Sequence, residues 1–232
     1  MATATITTTL PTFDGFSRGA IDFLAELAAN NQRDWFQPRK ADYERLVKRP
    51  LEALCVALAG RFETRGLLLR SDPAKSPFRI YRDTRFSKDK SPYKPYASAS
   101  FPWVAGETLG PGAYFHFQPG EMYIGGGMWH PEPARLAAWR ALVDRDPAAV
   151  HGAIGDERFV ATFGDVHGDS LKRVPAGFPG DHPDAALLKL KDVTFGRRLS
   201  DDEALSAGLP DILADAFADA VPVFRLLAGL GS

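Results

Sequence analysis

Between residues 82 and 96 the chain reads RDTRFSKDKSPYKPY, which gathers Arg82, Arg85, Lys88, Lys90 and Lys94 with Asp83, Asp89 and three aromatic rings. Arginine offers a planar fork that matches the oxygens of a phosphate or carboxylate, and lysine offers a mobile point charge. With Arg79 just upstream and the hydroxyls of Ser87, Ser91 and Tyr93, these are the parts of an oxyanion receptor in which Asp83 and Asp89 hold the cations in place. Pro92 and Pro95 stiffen the segment. The expected ligand residues are therefore Arg79, Arg82, Arg85, Lys88, Lys90, Tyr93 and Lys94, with at least three of the cations facing one cavity. Two other readings use the same side chains: an ion-pair network of Arg82, Asp83 and Arg85 that braces the fold, and an interaction module that docks an acidic protein or nucleic-acid phosphate.

Charge bookkeeping separates these readings. From Lys75 to Lys94 seven Lys or Arg stand against two Asp, a local charge of +5; the whole chain carries −1, so the remainder carries −6. Bracing two aspartates does not require seven cations, whereas a ligand with several negative charges would balance them. The negative remainder repels a long polyanion, so duplex nucleic acid is not expected to bind at physiological salt. The expected partner is an anionic small molecule, either simply bound or, in an enzyme, a phosphorylated substrate.

The second candidate is YIGGGMW, where Gly125, Gly126 and Gly127 could let a ligand approach the backbone and offer N–H groups to an anion. The spacing of dinucleotide folds and phosphate loops is absent, and a bulge or sharp strand exit accounts for three glycines equally. Trp129 follows, placed either to stack on a ring or to pack in the core. The histidines at 116, 130, 151, 167 and 182 match no zinc or facial-triad spacing, so neither a metal nor another cofactor is expected. His116 is the best-placed general base if there is chemistry, with Asp83 a weaker catalytic candidate. Cys55, in LEALCVALAG, recurs with Leu51, Leu54 and Leu58 at helical spacing and reads as a small core residue.

These side chains need a scaffold, and the hydrophobic periodicity outlines one. After Ser17, Ala20, Phe23, Leu24 and Leu27 lie on one helical face. PRKADYERLVKR and PLEALCVALAGRFETR predict two further helices interrupted at Pro50. FRIYRDTRF predicts a strand with Phe78 and Ile80 on one face and Arg79 and Tyr81 on the other. Arg82 then falls on the apolar face: either the strand ends there, or Arg82 is buried against a carboxylate, Asp83 or one elsewhere. AYFHF and EMYIGG around Gln118-Pro119-Gly120 predict an antiparallel hairpin. Helices follow at Leu136, Trp139, Leu142 and Val143 and again after Asp146-Pro147. HGDSLKRVP and KDVTFGRRLS are β-type flanks of a short helix over HPDAALLKLK. A last helix carries Leu213, Phe217, Val221 and Phe224, with Pro222 a kink or restart.

The order helices, strands, helices, short strands, helix lacks the alternation of a parallel sheet. It predicts an α+β fold: a mainly antiparallel sheet with helices packed on one face, in a single domain over residues 13–232 behind a flexible N-terminal tail, residues 1–12. The opening MATATITTTLPTF has neither a basic nor an apolar signal region, and no run approaches the length of a membrane span, so a cytoplasmic protein without membrane contact is expected.

Four stretches carry a family resemblance: FLAELAANNQRDWF, RIYRDTRFSKDKSPYK, YFHFQPGEMYIGGGMW and LKRVPAGFPGDHPDAALLKLKD. Together they resemble the family of conserved hypothetical proteins defined by domain of unknown function 2461, over most of residues 13 to 225. VPAGF stands where a basic Pro-Lys-Gly-Tyr version is usual in that family. The resemblance implies the extent of the domain and assigns no chemistry to any residue.

Overall fold

The computed structural model describes residues 12–85, 87–105 and 108–231; apart from Thr12, the N-terminal tail lies outside them, as does Phe86. In chain order come α1 (Arg18–Ala29), α2 (Arg33–Phe36), α3 (Lys40–Tyr43), α4 (Arg49–Thr64), β1 (Ala97–Ala105), β2 (Thr108–Phe117) and β3 (Tyr123–Met128). They are followed by α5 (Pro133–Arg145), α6 (Pro147–Ile154), α7 (Glu157–Phe163), α8 (Ala185–Lys189), β4 (Val193–Arg198), α9 (Asp201–Leu205), α10 (Leu209–Asp219) and α11 (Val221–Ala228). The strands pair antiparallel in the order β1-β2-β3-β4. The fold is α+β, as the order of elements predicts.

Strand alternation divides the sheet into two faces of different chemistry. One face carries Ala99, Phe101 and Trp103 of β1, Phe115 and Phe117 of β2, Ile124 of β3 and Phe195 of β4, all buried. The helices pack here. Phe62 of α4 meets Phe101 edge-on at 5.7 Å, Phe224 of α11 stacks on Trp103 at 5.4 Å, and Phe159 of α7 meets Phe195 at 5.2 Å. The other face carries two cross-strand rows set by the register. One is Ser98, His116, Tyr123 and Arg198; the next is Ser100, Tyr114, Gly125 and Gly196.

Pro50 sits in the first turn of α4, as a new helix beginning there predicts, and the Glu44–Lys48 segment before it is π-helical. Two sequence expectations are corrected. Over its described residues, 78–85, FRIYRDTRF is not a strand. Residues 68–78 instead run as a strap along β1, with Arg70 N–H donating to Pro102 O, Phe78 N–H to Ser98 O, and Ser100 N–H to Ser76 O. Thus Phe78 is exposed while Ile80 is buried, and no common apolar face exists for Arg82 to join. HGDSLKRVP likewise makes only the isolated bridges His167↔Thr194 and Ser170↔Leu190. Elsewhere the punctuation acts as read: the Asp146 carboxylate accepts from Ala149 N–H at the start of α6, and Pro222 restarts the chain as α11. Cys55 is buried in α4.

Candidate functional site

Residues 80–94 leave the strap and return, closed by Lys94 N–H donating to Ile80 O at 2.7 Å and Arg82 N–H to Pro92 O at 2.9 Å. The return is anchored from two sides. Tyr93 is buried and stacks on Phe36 at 4.1 Å, and its backbone is gripped by the Asn31 side chain, which donates to Tyr93 O at 2.9 Å and accepts from Tyr93 N–H at 3.0 Å. Tyr93, expected to meet a ligand, is instead a core residue: its ring supplies apolar area that α2 needs.

Beyond this anchor the basic segment divides. At the tip, residues 82–91, Arg82 pairs with Asp89 and Arg85 with Asp83, while the Lys90 ammonium donates to Thr84 O. The Arg85 guanidinium holds the Asp83 carboxyl down at about 2 through side-chain and backbone hydrogen bonds. Asp89, bonded to Ser91 and then to Arg82, is also held well below the ordinary range. Arg82 is therefore partly exposed and paired with Asp89, a carboxylate elsewhere in the segment, rather than buried on an apolar face. Lys88 is exposed.

Arg79 and Lys94, at the base, differ. Among the described residues neither makes a salt bridge, and the Lys94 ammonium sits 5.2 Å from the centre of the Phe78 ring. Burial first, and then the neighbouring Arg79 guanidinium, push the Lys94 pKa below the ordinary lysine value. Phe78 in turn lies 6.2 Å from Tyr114, so Lys94 borders the polar face of the sheet.

That face is built by alternation in β2, which sends Phe115 and Phe117 to the core and Tyr114 and His116 the other way. His116 is sandwiched between Tyr96 at 4.6 Å and Tyr123 at 4.7 Å. Its Nδ1 is 3.1 Å from the Tyr114 hydroxyl and its Nε2 3.3 Å from Gln118 Oε1; Gln118 Nε2 donates to Glu121 at 3.3 Å. The Tyr114 ring lies 5.7 Å from that of Tyr123, and burial raises the Tyr114 pKa. Burial lowers the His116 pKa, an effect opposed by Gln118 and Glu121. Both ring nitrogens are thus engaged, so a base role for His116 requires one of these bonds to break.

The glycines have packing reasons. A Cβ on Gly125 would lie 2.2 Å from Phe195 O, one on Gly126 would strike the Phe195 and Phe224 rings at 2.8 Å, and Gly127 has φ +115°. Trp129 is 75% exposed and lies tilted against His130 at 4.1 Å, outside the core. Among the described residues no group of three or more His, Cys, Asp or Glu is arranged to hold a metal, and no helix is long and apolar enough to cross a membrane.

The sequence reading passed over Tyr96, Ser98, Gln118, Glu121, Tyr123 and Arg198 as site residues. The alternation that separates Tyr114 and His116 from Phe115 and Phe117 was the available signal, and extending it across the register yields Ser98, Tyr123 and Arg198. No curated protein and no solved structure matches the chain. The family model described as conserved hypothetical protein (DUF2461) matches residues 19–225, spanning both the basic segment and the polar face, and the chain belongs to that family.

Proposed function

We propose that the protein binds a small anionic ligand, bearing phosphate or carboxylate, where the base of the basic segment borders the polar face of the sheet. One observation carries this reading: Arg79 and Lys94 lie close enough to repel, Lys94 is partly desolvated, and neither forms a salt bridge among the described residues. A partly desolvated ammonium held beside an exposed guanidinium is stabilised when an anion joins the pair. Arg198, in the Tyr123 row, adds a third positive charge along the face. The −6 carried by the rest of the chain disfavours a long polyanion, so the ligand is small.

Thermal melts with millimolar inorganic phosphate, and separately with citrate, test the reading. A ligand at 100 times its Kd stabilises by about 2.7 kcal/mol, so the melting midpoint of the wild-type protein should rise with at least one of the two. The rise should vanish in Lys94→Met. A midpoint unmoved by either anion, or a rise that survives Lys94→Met together with Arg79→Met, overturns the proposal.

A further inference from the structure

We infer that the anion bound at the base of the basic segment carries an aromatic ring beside its acid group, as an aryl phosphate or an aromatic carboxylate does, and that Phe78 receives this ring. The inference rests on the binding reading above and derives from what surrounds the two cations. Arg79 lies between Phe78 and Tyr81 in the chain, and these rings are 46% and 45% exposed. Tyr81 leans on buried Tyr93 at 5.4 Å, whereas Phe78 turns to the sheet. Its backbone fixes it there: Phe78 N–H donates to Ser98 O at 2.9 Å, and Lys94 N–H donates to Ile80 O at 2.7 Å, which brings the lysine back beside it. The half-buried Lys94 side chain then sets its ammonium 5.2 Å from the centre of the Phe78 ring, within the range of a cation–π contact. An acid group that takes this ammonium is therefore placed next to a partly bare ring. Phosphate alone leaves that ring in water; a ligand ring covers it.

Behind Phe78 the surface continues as rings. Phe78 lies 6.2 Å from Tyr114 and is tilted from it by 57°, Tyr114 lies 5.7 Å from Tyr123, and Tyr123 stacks on His116 at 4.7 Å. The cross-strand row through Tyr114 holds Ser100, Gly125 and Gly196, and the row through His116 holds Ser98, Tyr123 and Arg198, so neither row sets an aliphatic side chain among the rings. An alkyl group would meet only ring faces and edges here. An aromatic ring gains in addition the edge-to-face and offset contacts that ring quadrupoles favour. The ring must sit close to the acid group, because Lys94 and Phe78 are themselves in contact.

Calorimetric titration at pH 8 with inorganic phosphate, phenyl phosphate and cyclohexyl phosphate separates this inference from the reading beneath it, and benzoate with cyclohexanecarboxylate repeats the comparison for a carboxylate. Within each pair charge and carbon count match, and only the aromaticity of the ring differs. The aromatic member should bind about fivefold more tightly, as an aromatic pair contributes beyond its buried area. Phe78→Leu keeps an apolar side chain at an exposed position and should shrink that ratio to within twofold of one, with the affinity for inorganic phosphate unchanged; Phe78→Tyr should restore it. Ring protons of the bound aromatic ligand should shift upfield in the wild-type protein and lose that shift in Phe78→Leu. Equal affinity within every pair that binds, or a full ratio retained in Phe78→Leu, overturns the ring inference and leaves anion binding standing. No binding of any of the five anions overturns both.

Discussion

The tip of the basic segment, residues 82–91, and its base, Arg79 with Lys94, are built from the same residue types within sixteen positions. The tip closes on itself: each arginine has an aspartate two or seven residues away, and Lys90 takes a carbonyl of the same loop. The base has cations side by side and no aspartate in its salt-bridge range among the described residues. The difference teaches that a cluster of positive charge is not evenly available. Local sequence supplies a directly paired counter-charge at each tip arginine, whereas at the base Asp83 reaches Arg79 only through a weaker, longer-range attraction.

The anchor between the two regions gives the largest expected effect. Tyr93→Ala removes a buried ring stacked on Phe36 and should cost about 3 to 5 kcal/mol in urea unfolding, as large aromatic truncations in cores do. A loss below about 1 kcal/mol would mean the base is not held by the core.

At the base, Lys94→Met should leave the melting midpoint equal or higher while removing the response to phosphate. The pH dependence has a definite sign. The folded pKa of Lys94 is depressed, so the unfolded chain binds more protons and stability rises with pH as the ammonium is neutralised, in a window ending near the unfolded value of 10.5. The stability gap between Lys94→Met and wild type should therefore narrow as pH climbs toward 10.5; a widening gap would remove Lys94 from the site.

His116 gives a smaller effect at the other end of the scale. Its folded pKa is lowered by burial, so stability should decline as pH falls below the ordinary histidine value of 6.5 and level off once the folded ring also protonates. His116→Phe should flatten that decline in melts between pH 7 and pH 5. At the tip the smallest change is expected: Asp89→Asn and Arg85→Met each break an exposed pair and should shift the midpoint by no more than its experimental scatter, with the phosphate response intact. Loss of that response in Arg85→Met would reunite tip and base as one site.

Much of this architecture was legible in the chain. Phe115 and Phe117 alternate with Tyr114 and His116, and helical spacing located Phe23, Trp139 and Phe217, because these patterns express burial directly. β1 was not read because ASASFPWVA opens on four small residues and carries Pro102 in its middle, which mask the strand signal of Phe101, Trp103 and Val104; its place is set by pairing with β2 and the strap. The strap itself misled because Phe78, Ile80 and Arg82 alternate like a strand, yet Phe78 bonds to β1 and Arg82 to the tip. The site was half legible. Charge located its cations, but which of them are neutralised depends on whether the loop folds back onto its own aspartates, and the hydroxyls come from strands whose register no local signal encodes.

The closure of the tip has a consequence for a cut chain. Residues on both sides of 83–91 are held independently of the peptide bonds between them: Ile80 and Arg82 by Lys94 and Pro92, and Tyr93 by Phe36 and Asn31. A protease that nicks the tip should therefore yield two fragments that stay associated through gel filtration and separate only in denaturant. The same junction should accept an inserted peptide or serve as new termini in a circularly permuted chain, with the phosphate response as the sign that the base has kept its shape.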